Sequence, residues 1–134
     1  MRGYFSVGLD NVKNCENVGH ALRGCGVYGA SFLAFSGRRY RPHPTDTMRA
    51  VKHLPLIAVD DLRSVVPYDC VPVAVDLVAS AVALPEYQHP ERAFYIFGAE
   101  DQTLGARVLS WCRDIIYIPT RACMNLSACV NVVL

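Results

Sequence analysis

An α/β domain, with helices on both faces of a mostly parallel sheet, is the fold class this 134-residue sequence predicts. Three observations predict it. The first 36 residues run strand, helix, strand, the order of a βαβ unit whose crossover leaves its strands parallel. The same alternation continues to the end, with no internal repeat, low-complexity run or linker to divide residues 1–134 into more than one domain. The composition, 52% hydrophobic and 19% charged, suits a packed core. A chain of this length buries roughly two-thirds of its unfolded surface without staples.

The elements follow in order. YFSVGLD (4–10) is apolar and β-rich, a strand that ends at Asp10. NCENVGHALRGCGVYG (14–29) is a helix: Asn14 or Asn17 caps it, Glu16 meets its positive end and Gly29 closes it. Val18, Ala21, Leu22 and Cys25 recur at i, i+3, i+4 and i+7 and give it one apolar face. ASFLAFS (30–36) is the second strand. The segment 37–53 is a loop passing into a short helix. LPLIAV (54–59) is a strand, DDLRSVV (60–66) a helix capped by Asp60 or Asp61, and VPVAVDLV (71–78) a strand. RAFYIFG (92–98) reads as a central strand ending in a Gly-containing turn. QTLGARVLSWC (102–112) is a helix, DIIYIP (114–119) the last strand and ACMNLSACVNVVL (122–134) the last helix.

Several function classes drop out. A net charge of +1 confines any nucleic-acid site to a local patch. Cysteines 15, 25, 70, 112, 123 and 129 include no C-x-x-C pair, and no secretory leader is expected. Free thiols in a reducing cytoplasm are therefore expected, with no metal site. The uncharged closing stretch is too short for a bilayer, which needs about 20 apolar residues. G-x-G-x-x-G after the first strand, G-K-[ST] and G-x-S-x-G are all missing, so the dinucleotide, P-loop and nucleophile-elbow readings lack their signatures.

Ligands of open α/β sheets bind beyond the carboxyl ends of the strands. Three patches fall there: Asn14 to Arg23, FGAED (97–101) and IPTRACMNLS (118–127). Gly98 allows close backbone approach, and Glu100 either accepts hydrogen bonds or simply starts the next helix. The segment 37–53 carries Arg38, Arg39, Arg41, Arg49 and Lys52 against one acid, Asp46, a local charge of +4. It suits phosphate contacts, with Tyr40 free to stack on a base, and equally a solvated surface loop.

Together the three patches resemble the SpoU/TrmH branch of the SPOUT RNA methyltransferases. Asn17, Gly19 and Arg23 are similar to the first motif, and Gly98 with Glu100 to the second. Ile118, Pro119, Met124, Asn125, Leu126 and Ser127 are similar to the third. Two departures stand out: Cys123 occupies a position commonly Ser, and the interval between Ile118-Pro119 and the Asn125 helix start is a few residues short. The chain also stops inside a helix that relatives extend.

The resemblance implies a C-terminal trefoil knot over roughly 92–134 that binds S-adenosyl-L-methionine, with no separate RNA-binding domain. Val75, Gly98, Ile118, Cys123, Met124 and Leu126 would form the cofactor pocket. Arg23, Asn17, Glu100, Asn125 and Ser127 would form the catalytic set. Arg23 would orient the ribose and its phosphate, because a guanidinium is a poor base but a good bidentate fork. Arg38, Arg39, Tyr40 and Arg41 would meet RNA. The implied reaction is methyl transfer to a ribose 2′-hydroxyl of tRNA, or rRNA, by a cytoplasmic homodimer paired through helices near the knot. The rivals are a non-catalytic RNA-binding protein of the same fold and an unrelated nucleotide-binding α/β enzyme.

Overall fold

In the structure, a computed structural model, residues 3–13, 15–37, 54–99, 103–121 and 125–134 are described. Among them run seven strands: β1 (Phe5–Asp10), β2 (Leu33–Ser36), β3 (Leu56–Val59), β4 (Val71–Val75), β5 (Val82–Ala83), β6 (Ala93–Gly98) and β7 (Asp114–Tyr117). The helices are α1 (Cys15–Tyr28), α2 (Gly105–Leu109) and α3 (Leu126–Val133). All seven strands form one sheet in the order β3-β2-β1-β6-β4-β7-β5. Every registered pair is parallel, from Val7 beside Leu33 to Ala83 beside Tyr117.

Side chains of a strand alternate between faces, so a sheet covered on both sides needs apolar residues at nearly every position. β6 meets this demand: Ala93, Tyr95 and Phe97 enter one core cluster, Phe94 and Ile96 the other. On the first face the predicted stripe of α1, Val18, Ala21, Leu22 and Cys25, is fully buried. It packs with Leu126, Val130 and Val133 of α3, which recur at i, i+4 and i+7. On the second face Leu62 and, around α2, Leu104 and Val108 cover Phe94 and Ile96. Helical structure thus lies on both faces, as the sequence predicts.

Several elements are shorter than their sequence patterns. The expected helix 60–66 is a 3-10 turn over Leu62–Val65, and Asp61 is its cap, its carboxylate accepting from the Arg63 amide at 3.1 Å. The helix expected over 102–112 is five residues of α2. The strand expected to reach 78 ends at Val75. Residues 82–86, unassigned from sequence, form β5 and a 3-10 turn over Leu84–Glu86. That stretch is tied down from afar: the Tyr87 hydroxyl donates to Asp114 Oδ2 at 2.7 Å, and His89 Nδ1 lies 2.6 Å from the Tyr95 hydroxyl. The knot implied by the resemblance involves residues 100–102 and 122–124, which lie outside the described residues. The capping alternative Asn14 and the short helix expected within 37–53 lie outside them too.

Candidate active site at the carboxyl ends of the strands

The sheet topology brings the separated motifs together. β6, β4 and β7 are neighbours, so their exits at Gly98, Val75 and Ile118 line one edge of the sheet. Val75 is registered beside Phe97 and Ile116. Val75, Ile118 and Leu126 all pack on the same core cluster, Leu126 buried and the other two partly so. The result is an apolar shelf, half open, flanked by backbone at the strand ends.

Asn17 lies in the first turn of α1 and is only 5% exposed. Its Oδ1 accepts a hydrogen bond from Asn125 Nδ2 at 3.1 Å, across 108 residues of sequence. Asn125 precedes α3, and its carbonyl accepts from the Cys129 amide at 2.9 Å, closing the first turn of that helix. One side-chain bond thus joins the first motif to the third. A buried amide needs such a partner, since leaving it unpaired costs about 1–3 kcal/mol.

Arg23 lies six residues beyond Asn17 on the exposed side of α1. With His20, Gly24, Val27, Tyr28, Ala128 and Asn131 it lines an open groove of about 430 Å³ between α1 and α3. Gly24 keeps the two helices close: a Cβ there would stand 2.8 Å from Asn131 Oδ1. Asn131 therefore fills the space opposite a glycine. Glu100, Cys123, Met124, Arg38, Arg39, Tyr40 and Arg41 lie outside the described residues, as does the side chain of Ser127.

Two carboxylates at strand ends carry no weight in the sequence reading, yet both are engaged. Asp10 closes β1 beside Gly98, and its Oδ1 accepts from Ser36 Oγ and from Arg107 Nη2, each at 3.1 Å. Asp76 follows β4, and its carboxylate accepts from the amides of Leu77 at 2.9 Å and Leu104 at 3.2 Å. The signal available was an acid directly after each apolar run, LD at 9–10 and VD at 75–76.

Among the described residues no group of three or more His, Cys, Asp and Glu side chains could hold a metal ion, and no helix is long and apolar enough to cross a membrane. Among the described residues, Cys25, Cys70, Cys112 and Cys129 form no disulfide. Burial pushes the thiols of Cys25 and Cys112 up to about 12.

The family model described as the SpoU rRNA Methylase family matches residues 4–134. The chain belongs to that family. No curated protein matches it by sequence. Solved structures share the fold. A TrmH/SpoU tRNA modifying enzyme from A. aeolicus superposes with a TM-score of 0.84 at 20% identity, over 98% of this chain and 72% of that one. An AdoMet-bound rRNA methyltransferase from Sinorhizobium meliloti gives 0.82 at 20% identity, over 99% and 55%. A structure described as giving insight into 2-OH methylation of C/U34 on tRNA gives 0.82 at 19% identity, over 98% and 91%. This SpoU-family chain therefore spans little more than half of the second relative and nearly all of the third.

Proposed function

We propose that this SpoU-family protein is an S-adenosylmethionine-dependent methyltransferase acting on a ribose 2′-hydroxyl of RNA, with tRNA the favoured substrate. The observation that carries the proposal is the Asn125–Asn17 hydrogen bond, which sets the first and third motifs side by side at the strand exits. The cofactor suits the residues present: the half-open shelf of Val75, Gly98, Ile118 and Leu126 offers apolar surface for an adenine and backbone groups beside it. When bound, S-adenosylmethionine supplies an electrophilic methyl group.

The work left to the protein is positioning, which supplies much of the rate when a nucleophile must be held in line. Arg23 stands exposed in the groove, where its planar fork can hold a phosphate beside the target ribose. A guanidinium is a poor base, so its help to the hydroxyl is electrostatic. Asn17 and Asn125 lock α1 to the start of α3 and keep Arg23 in register with the shelf. The reading extends, on the family resemblance alone, to Glu100 and Ser127 as members of the catalytic set, to Cys123 and Met124 as cofactor residues and to Arg38, Arg39, Tyr40 and Arg41 as RNA contacts, all of them outside the described residues or side chains. A second copy pairs beside the groove, through Val27 and Val132, which are 75% and 50% exposed on α1 and α3, an apolar face suited to a homodimer.

Tritiated methyl transfer from S-adenosylmethionine onto fractionated cellular RNA, followed by nucleoside mapping, tests the proposal. A 2′-O-methylated nucleoside in the tRNA fraction is the expected result. Cofactor binding without transfer to any RNA would favour the non-catalytic RNA-binding reading. Absence of cofactor binding at millimolar concentration would overturn the enzyme.

A further inference from the structure

α2 cannot hold its own position. It has five residues, far below the length at which a helix is stable alone. Its capping residue Leu104 makes no side-chain cap, and Gly105 enters the helix at φ +75°. What caps it comes from 28 residues away: Asp76 Oδ2 accepts the Leu104 amide at 3.2 Å, while Oδ1 accepts Leu77 N at 2.9 Å. The Asp76 amide in turn donates to the Ile116 carbonyl at 2.9 Å, tying the same residue to β7.

The other flank is tied as well. Arg107, in α2, reaches Asp10 at the end of β1, and Ser36 donates to the same carboxylate oxygen. β6 runs between β1 and β4, so chain leaving at Gly98 is fastened to both neighbouring strands within about ten residues. These ties do little for overall stability. The Arg107 side chain is 66% exposed, and exposed ion pairs contribute about 0–1 kcal/mol. Their effect is geometric.

We propose that Asp76 and the Asp10–Arg107 pair are positioning residues, a two-sided clamp that holds α2 and its entry at Leu104 at the exits of β4 and β1, beside the cofactor shelf. The inference rests on the cofactor reading above. It assigns a role to side chains outside the three motifs, and it explains why polar carboxylates stand at the ends of two core strands.

The test compares the full chain with Asp76→Ala, Asp76→Asn and Arg107→Ala. It uses three readouts: amide exchange over Leu104–Leu109, calorimetry with S-adenosylmethionine, and thermal melting. Loss of a hydrogen bond to a charged group predicts about tenfold faster exchange and about tenfold weaker cofactor binding in Asp76→Ala, and about threefold changes in Arg107→Ala, whose ion pair is exposed. The melting temperature should move little, and kcat at saturating cofactor should hold while KM rises. Asp76→Asn, which keeps one acceptor oxygen, should fall between. Unchanged exchange would overturn the clamp. Faster exchange with unchanged cofactor affinity, or a large drop in melting temperature with unchanged affinity, would reduce both residues to scaffold. If the unaltered chain binds no cofactor, the cofactor role falls with the reading it rests on, and exchange alone decides whether the clamp exists.

Discussion

Arg23 and Asn17 sit on one helix yet do different work. Asn17 is buried and bonded to Asn125, whereas Arg23 faces the groove. Arg23→Ala should abolish methyl transfer and leave cofactor affinity within about twofold, since truncating an exposed side chain usually changes stability by under about 0.5 kcal/mol. Calorimetry beside a transfer assay checks this, and joint loss of both would make Arg23 a cofactor or scaffold residue. A double-mutant cycle of Asn17→Ala and Asn125→Ala should show a coupling of about 1 kcal/mol in denaturant melts. Cys25 offers a pH test. Burial raises its thiol from 9.0 to about 12, so the native state holds that proton after the unfolded chain has lost it. Stability should therefore fall as pH climbs from about 9 towards 12. Iodoacetamide at pH 8 should label Cys25 only after denaturation, which mass spectrometry can follow.

At the scale of elements, the packing of α1 on β1 and α3 sustains the site. Leu22 is fully buried in that seam, and Leu22→Ala should cost about 2–5 kcal/mol in urea unfolding. Gly8 shows the opposite constraint on the other face. A Cβ there would stand 2.7 Å from Phe94 Cζ and 3.2 Å from Leu62 Cδ1, within a closed core. Gly8→Ala should therefore destabilise by about 1–3 kcal/mol despite the better strand propensity of alanine. An unchanged urea midpoint would mean the Phe94 ring shifts freely.

For the whole molecule, the exposed face formed by Val27, Tyr28 and Val132 matters most. If a second copy covers it, Val132→Glu should convert a dimer to a monomer in light scattering, because a charge buried at an apolar interface costs several kcal/mol. Methyl transfer should fall with it. A wild-type chain monomeric at every concentration would remove the dimer from the mechanism.

The sequence by itself determined the element order, the parallel fold class and the apolar stripe of α1, because local periodicity and crossover handedness depend on neighbours in the chain. The three motif patches were legible for the same reason: each is contiguous and ends a strand. Element lengths were less legible. α2 and the Leu62–Val65 turn are shorter than their patterns, and the start of α2 is capped from Asp76, a residue distant in sequence. β5 was invisible, since two residues carry no period. Only the tertiary structure decided that Asn125 bonds Asn17, that Asn131 fills the space opposite Gly24, and that Asp76 caps a helix 28 residues away. Strand order sets those contacts, and order is a property of the sheet that no short window of sequence contains.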